Sequence, residues 1–151
     1  MREFRKNIFI SDNDVLKSFS LRASTIVQVE DKYLMVLNEG ASKYKHPGGH
    51  INLSESLLDG LKRELKEEIG LEIEDADPER LFFDVVFKDG NAMINSLFQI
   101  QIDLETAEEV MANSPLPTKL FKLEELNEDN TWESEISAIN HYQKQIWTTK
   151  K

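Results

Sequence analysis

Cysteine is absent from the 151 residues of this chain, which excludes disulfide bonds and thiolate metal sites. Long apolar runs are absent too: residues 33–37 make a run of strand length, whereas a membrane-spanning helix needs about 18 or more apolar residues. The basic N-terminal residues are followed by no sustained apolar segment, so no signal peptide is predicted. We therefore expect a cytoplasmic protein that does not enter a membrane.

Positive charge is scarce, with 18 lysines and arginines against 28 aspartates and glutamates and a formal net charge of -10. Broad binding to nucleic acid needs a basic surface, so a nucleic-acid partner is not expected. A phosphorylated small molecule remains an acceptable partner if metal cations mediate the contact. Hydrophobic residues make up 40% and charged residues 30%, and no linker or repeat is visible, so we expect one globular domain over residues 1–151.

Runs rich in strand-forming residues predict the sheet. They cover residues 22–29, 33–38, 81–88 and 93–103, with shorter runs at 8–10 and 120–123. Residues 30–32 are short enough for a hairpin, and Asp89-Gly90-Asn91 is a strong turn signal because Gly and Asn tolerate positive φ.

Two segments are predicted to be helices. Between Ser54 and Ile69, apolar residues recur at three- and four-residue steps, with Ser54 or Ser56 as the N-cap and Gly70 at the C-terminal cap. The second helix is predicted from Glu133 to Trp147, with a buried face at Ile136, Ile139, Tyr142 and Ile146. Strands interleaved with helices indicate a mixed sheet with helices packed against it.

The first helix carries Glu64, Glu67 and Glu68 at spacings that place them on one face. Like charges so placed destabilise a helix by about 0.2–0.5 kcal/mol per pair, and the macrodipole disfavours anions in its last turn. Most glutamate-rich faces are simply solvated surfaces. A hard divalent cation would instead favour these carboxylates together, because Mg²⁺ prefers oxygen ligands.

The residues around this helix resemble the Nudix signature, G-x5-E-x7-R-E-U-x-E-E-x-G-U, where U is a bulky aliphatic residue. Every specified position is filled: by Gly49, Glu55, Arg63, Glu64, Leu65, Glu67, Glu68, Gly70 and Leu71. A chance match is on the order of one in a million or rarer from composition. The resemblance implies an α+β fold, an α/β/α sandwich in which a mixed β-sheet is flanked by helices.

The resemblance also implies a reaction, the attack of water on phosphorus in a nucleoside diphosphate linked to another moiety, or in a nucleoside triphosphate. Mg²⁺, with Mn²⁺ as a substitute, would neutralise the bridging oxygens and lower the pKa of a coordinated water. By this resemblance the metal ligands are the Gly48 carbonyl and the carboxylates of Glu64, Glu67 and Glu68.

Four residues make up the catalytic set that the resemblance implies: Glu67, Glu68, Arg63 and Glu55. Arg63 and Glu55 are expected mainly to orient the loop–helix–loop, and Arg63 can pair with Glu67 or reach the loop of Glu55. Glu67 or Glu68 would serve as the general base if no separate base exists.

Many relatives add a carboxylate from the loop before the last core strand, and here the corresponding position falls near Pro117. Three upstream glutamates could take that place, although a solvated surface is the more ordinary reading of them. They are Glu105, Glu108 and Glu109.

Substrate contacts are expected from Arg22, which begins a strand, and from Lys43, Lys45 and His46, which come just before Pro47; any of them could meet the distal phosphate. His50 and His141 are interpreted as ordinary residues rather than ligands. Five aromatic residues are candidates to stack on a base, with a core role as the default: Phe82, Phe83, Phe87, Phe98 and Trp132.

Two other functions compete with hydrolysis. The first is a non-catalytic Nudix domain that binds a nucleotide metabolite as a sensor, which the intact glutamates disfavour. The second is a structural calcium or magnesium module, which the lack of a D-x-D-x-D-G loop disfavours. A homodimer is the expected assembly if the chain associates at all, because dimers are the commonest soluble oligomers.

Overall fold

The computed structural model describes residues 18–74, 78–88 and 90–150. Six strands and three α-helices lie within this part of the chain. In chain order they are β1 (Ser18–Val29), β2 (Lys32–Val36), β3 (Gly48–His50), α1 (Leu57–Ile69), β4 (Glu79–Lys88), β5 (Asn91–Gln101), α2 (Leu104–Asn113), β6 (Thr118–Phe121) and α3 (Glu133–Lys150). A short 3₁₀ turn, Leu123–Glu125, separates β6 from α3.

The strands form one mixed sheet in the order β4-β5-β1-β2-β6, with β3 added beside β1. The β1–β5 pair is parallel and runs from Ser18 opposite Asn91 to Gln28 opposite Gln101. The other pairs, β1–β2, β1–β3, β2–β6 and β4–β5, are antiparallel. Strand β1 is therefore the centre of the sheet and the element on which β3 is built.

The sheet buries a separate apolar cluster on each face, because successive side chains of a strand point to opposite sides. One cluster packs α1 and α2 against alternate residues of the strands, such as Val27 and Leu34. The other packs α3 against the residues between them, such as Ile26 and Met35. The arrangement is the α/β/α sandwich with a mixed sheet, so the predicted fold class is confirmed.

Helix α1 has a defined start and a defined end. Ser56 is its N-cap, and the Ser56 hydroxyl accepts a hydrogen bond of 3.1 Å from the Asp59 amide. Gly70 ends it with φ 70°, and the amide of Leu71 donates to the Leu65 carbonyl, as in a Schellman cap. The predicted choice of caps is thereby confirmed, although the helix begins at Leu57, three residues later than expected.

Several boundaries and elements differ from the sequence expectations. The four longer predicted strands are present, with ends that differ by up to four residues, and the helix expected at 133–147 runs to Lys150. Helix α2 and the short strand β3 were not predicted. The strand predicted at 8–10 lies outside the described residues. In the part of the chain that the structure describes, no helix is long and apolar enough to cross a membrane.

Candidate active site

The Pro47-Gly48-Gly49 segment lies directly on β1. In the β1–β3 pairing Gly48 is opposite Ser24 and Gly49 is opposite Ala23, and the Thr25 amide donates to the Pro47 carbonyl at 2.9 Å. Gly48 has φ 146°, and a Cβ there would lie 2.2 Å from the Ala23 carbonyl oxygen. Only glycine fits this approach of two backbones, so the conformation that aims the Gly48 carbonyl depends on it.

Glu68 is the link between α1 and this segment. Glu68 is 8% exposed, and its Oε1 accepts a hydrogen bond of 2.7 Å from the Gly48 amide. Its Oε2 lies 3.0 Å from the Lys45 ammonium. The same ammonium donates to the Gly48 carbonyl at 2.7 Å. The Lys45 ammonium is therefore held between the Gly48 carbonyl oxygen and Glu68 Oε2, at the point where β3 meets the end of α1.

Arg63 joins the other carboxylates. Its Nη2 lies 2.7 Å from Glu55 Oε1 and donates to the His50 carbonyl at 3.0 Å. Its Nη1 donates to Glu64 at 3.0 Å and to Glu67 at 3.1 Å. One guanidinium thus holds the loop before α1, the end of β3 and the acidic face of the helix in one arrangement, which fits the orienting role expected of Arg63 and Glu55.

The hydrogen bonds of this network shift two pKa values. The pKa of Glu55 lies below its ordinary value, first because of Arg63 and second because the Asn52 amide donates to the carboxylate. The pKa of Arg63 is raised above its already high value, chiefly by Glu55 and, against the effect of burial, by Glu64. Both groups therefore stay charged across the physiological range.

Two glycines, Gly49 and Gly60, leave space for the carboxylates of Glu64 and Glu55 because they have no Cβ. A Cβ on Gly49 would lie 2.7 Å from the Glu64 carboxylate. A Cβ on Gly60 would lie 2.3 Å from the Ile51 Cδ1 and 3.0 Å from Glu55. The Gly60 contact was not anticipated from the sequence, where a glycine inside a helix was the available signal.

The donors of this region, carboxylates and a backbone carbonyl, are of the type that a hard divalent cation prefers. Gly48 and Glu68 already present two oxygens to the Lys45 ammonium, and Glu64 lies against Gly49 on the next turn of α1. Within the described ranges, no three acidic or histidine side chains yet converge on one point as a ligand set. The carboxylates are instead directed to Arg63 and Lys45, so a metal would need these side chains to turn.

The loop before β6 contacts the end of α1, as expected for the position of a further carboxylate. The Leu116 amide donates to the Glu68 carbonyl at 3.1 Å, and the Leu37 amide donates to the Pro117 carbonyl at 2.9 Å. Residues 114–117, however, are Ser-Pro-Leu-Pro and contain no acid. The three alternatives Glu105, Glu108 and Glu109 are exposed on α2.

The predicted phosphate contacts occupy different places. Arg22 is half-buried on β1, opposite His50 on one side and Asn95 on the other, so these side chains share a face of the sheet beside the Gly48 segment. Lys45 lies against Glu68. His46 is 1% exposed, and its Nε2 lies 3.1 Å from the Glu135 carbonyl oxygen of α3. In this arrangement the His46 ring is not accessible to a substrate, which argues against its predicted role.

The aromatic candidates also separate. Phe98 is buried in the cluster under α1 and α2, which is the default core role. Trp132 is 55% exposed, and the Lys43 ammonium lies 4.3 Å from its ring centroid. The side chains of Phe82, Phe83 and Phe87 lie outside the described part of the structure.

Comparison with known proteins gives the family. The model of the NUDIX domain matches residues 20–141. A search of the curated proteins found no match. The fold is similar to a Nudix hydrolase from Nitrosomonas europaea, with 18% identity, TM-score 0.64, and coverage of 83% of this chain and 89% of that one. It is also similar to the MutT protein of Methanosarcina mazei Go1, with 18% identity, TM-score 0.64, and coverage of 93% and 100%.

A third similar structure is described as an ADP compounds hydrolase, with 16% identity, TM-score 0.65, and coverage of 86% of this chain and 74% of that one. The family match spans most of the chain and includes the whole signature, so the chain belongs to the Nudix family. Its enzyme class is that of the Nudix pyrophosphohydrolases, and hydrolases of this family generally use divalent cations.

Proposed function

We propose that this enzyme hydrolyses a pyrophosphate bond in a nucleoside diphosphate linked to another moiety, or in a nucleoside triphosphate, in a reaction that requires Mg²⁺, with Mn²⁺ as a substitute. The observation that carries the proposal is the position of the Lys45 ammonium, which lies 2.7 Å from the Gly48 carbonyl oxygen and 3.0 Å from the Glu68 carboxylate. Oxygen donors that already hold one cation at the end of an acidic helix have the chemistry that Mg²⁺ prefers.

The metal ligands would be the Gly48 carbonyl, Glu64, Glu67 and Glu68. When bound, the metal supplies charge neutralisation for the phosphates and a lowered pKa for its water. Glu67 has the most exposed carboxylate of the three, with 58% of its side chain accessible, so it is the best placed to meet a water or a substrate. We assign it, or Glu68, as the general base.

Arg63 and Glu55 would act by positioning. Arg63 contacts Glu55, Glu64 and Glu67 together, so its loss would free the carboxylates that have to converge. Interactions of this kind around metal ligands are typically worth about 10- to 100-fold in affinity or activity.

The substrate would lie beside the face of the sheet that carries Arg22. Strands β1, β3 and β5 bring Arg22, His50 and Asn95 into one row, next to the Gly48 segment. A half-buried guanidinium can bind a phosphate through two hydrogen bonds, so Arg22 is the favoured phosphate contact. We propose a cytoplasmic enzyme with a small-molecule partner and no nucleic-acid partner, and a homodimer if it assembles.

A substrate panel tests the proposal. The panel contains ADP-ribose, sugar nucleotides, dinucleoside polyphosphates and (deoxy)nucleoside triphosphates, each assayed with Mg²⁺ and again after chelation. We expect turnover of at least one class, abolished by the chelator and restored by Mg²⁺ or Mn²⁺. ADP-linked compounds are included first because a similar structure is described as an ADP compounds hydrolase.

Glu67→Gln is the companion variant, since it removes a charge but keeps the shape of the side chain. Tight binding of a metabolite without turnover of any panel member would favour the sensor over the enzyme. Wild-type activity in Glu67→Gln would show that the metal and base assignments are wrong.

A further inference from the structure

We propose that the Lys45 ammonium is a placeholder that occupies the cation position between Gly48 and Glu68, and that a divalent cation has to displace it to bind. This inference rests on the metal dependence of the proposed function. It assigns to Lys45 a role in metal binding, in addition to the phosphate contact expected from its place in the sequence.

The geometry places the ammonium on two of the proposed metal ligands at once. Lys45 Nζ lies 2.7 Å from the Gly48 carbonyl oxygen and 3.0 Å from Glu68 Oε2. The carboxylate of Glu68 is fixed from its other oxygen by the Gly48 amide at 2.7 Å. The two acceptors therefore cannot separate freely, and one cation can bridge them.

The Lys45–Glu68 ion pair is shielded from solvent, so the loss of either charge affects stability. The side chains of Lys45 and Glu68 are 13% and 11% exposed. Ion pairs on an open surface contribute about 0–1 kcal/mol, whereas one partner left alone in a buried site is costly. Glu68 without a cation would be such a partner, so the ammonium stabilises the metal-free enzyme.

The ammonium and a metal ion cannot share the position. Mg²⁺ stands at about 2.0–2.1 Å from its oxygen ligands, inside the space that an ammonium at hydrogen-bond distance fills. Two cations that close would also repel each other. Binding of the metal therefore includes the cost of moving Lys45, and the affinity for metal is lower than the carboxylates alone would give.

Titration of the 151-residue chain with Mn²⁺ tests the placeholder role. Binding is measured by calorimetry or by the electron paramagnetic resonance of free Mn²⁺. The test variant is Lys45→Met, which keeps the apolar stem and removes the charge. Lys43→Met is the matched control: it makes the same change of net charge two residues away, where the ammonium lies over Trp132.

We expect Lys45→Met to bind Mn²⁺ about three- to tenfold more tightly than the wild type, since the displacement cost of a partly buried pair disappears. Lys43→Met should change the affinity by less than about twofold, because the Lys43 ammonium lies over Trp132 and not on the Gly48 and Glu68 oxygens. If Lys45→Met does not fold, Lys45→Gln is the second variant. It also removes the charge, so tighter Mn²⁺ binding is again expected, by a smaller factor because a neutral amide can still compete for the Gly48 carbonyl.

Thermal unfolding gives a second measurement that does not depend on activity. Without metal, Lys45→Met should unfold at a lower temperature than Lys43→Met, because Glu68 has lost its cation. Saturating Mg²⁺ should raise the midpoint of Lys45→Met more than that of the wild type, as tighter binding to the folded state requires.

The outcomes separate this inference from the proposed function. Equal or weaker Mn²⁺ binding by folded Lys45→Met would overturn the placeholder role and leave metal dependence standing. If neither the wild type nor any variant bound Mn²⁺ saturably, the placeholder role and the proposed metal site would both be wrong.

Discussion

Helices α1 and α2 contain the same acidic pattern in different surroundings. Glu64, Glu67 and Glu68 in α1 and Glu105, Glu108 and Glu109 in α2 both follow E-x-x-E-E. The α1 carboxylates contact Arg63 and Lys45, whereas those of α2 are exposed. The same spacing of glutamates therefore does not by itself produce the same kind of site.

The position within the helix also differs. The α2 pattern begins in the first turn, where the macrodipole stabilises anions, and the α1 pattern ends in the last turn, where it does not. Glu105 lies where the macrodipole favours an anion, and Glu108 and Glu109 are exposed to solvent, whereas the α1 acids are held by nearby cations. Acidic residues in the last turn of a helix are thus a stronger indication of a binding site than acidic residues in the first turn.

The largest expected effect comes from removing one charge from each pattern. Glu68→Gln should lower kcat/KM of the proposed metal-dependent hydrolysis by about 10²- to 10⁴-fold, because a proposed metal ligand, worth several kcal/mol of charge stabilisation, is lost. Glu109→Gln, at the same place in the α2 pattern, should change it by less than about twofold, since exposed substitutions have small effects. Steady-state kinetics on the substrate found in the panel measures both. Equal losses in the two variants would mean that the spacing, not the surroundings, makes the site.

A middle-sized effect is expected from filling the space beside Glu64. The Cβ of Gly49→Ala would meet the Glu64 carboxylate at 2.7 Å, and this flexible side chain can move aside. We expect activity to fall about 10- to 100-fold while the midpoint of thermal unfolding changes by less than about 3 °C.

Gly40→Ala is the control for Gly49→Ala, with the opposite expectation. Gly40 has φ 77° and open space around it, so an alanine is strained there but meets nothing. Its unfolding free energy should fall by about 1–2 kcal/mol with activity unchanged. Wild-type activity in Gly49→Ala would show that Glu64 need not keep its place beside the glycine.

The smallest expected effect is a pH dependence of stability. The pKa of Glu55 is lowered from 4.5, first by Arg63, and that of Asp103, the N-cap of α2, is lowered from 3.8 by the Thr106 amide. A pKa that is lower in the folded state contributes stability above the ordinary value, and this stability is lost as the pH falls through the folded value. Both groups therefore add to the loss of stability below about pH 4–5.

Glu55→Gln and Asp103→Asn test this by urea unfolding at pH 7, 5 and 3. Both variants should show a shallower acid loss than the wild type. At pH 7, Asp103→Asn should lose little unfolding free energy, because asparagine also caps a helix. Glu55→Gln should lose more, because Arg63 loses its main partner. An unchanged acid slope in both would contradict the assigned pKa shifts.

The parts of the fold that were predicted are those with a strong local pattern. The apolar stripe of α1, with Leu61, Leu65 and Ile69 buried, and the turn at Gly90 with φ 83° are of this kind. Helix α2 was missed because its residues follow β5 without a glycine or proline between them, although Asp103 could have signalled the N-cap. Strand β3 has three residues and exists through its pairing with β1, which no local pattern shows.

The site divides in the same way. The loop–helix–loop was visible as a signature. The sequence predicted that Arg63 pairs with Glu67, four residues later, or reaches the loop of Glu55, and in the structure it does both. The burial of His46 did not, because its partner Glu135 is 89 residues away in the chain. The contact of Lys45 with Glu68 depends equally on β3 lying beside the end of α1. Contacts made through the tertiary fold were beyond sequence reasoning.

The network around α1 also has a definite charge inventory. Four carboxylates, Glu55, Glu64, Glu67 and Glu68, face the two cations of Arg63 and Lys45, which leaves two negative charges uncompensated. Exchanging the Lys45 ammonium for one divalent ion would leave a single negative charge. A second ion would leave a single positive charge, which is the sign that a phosphate requires.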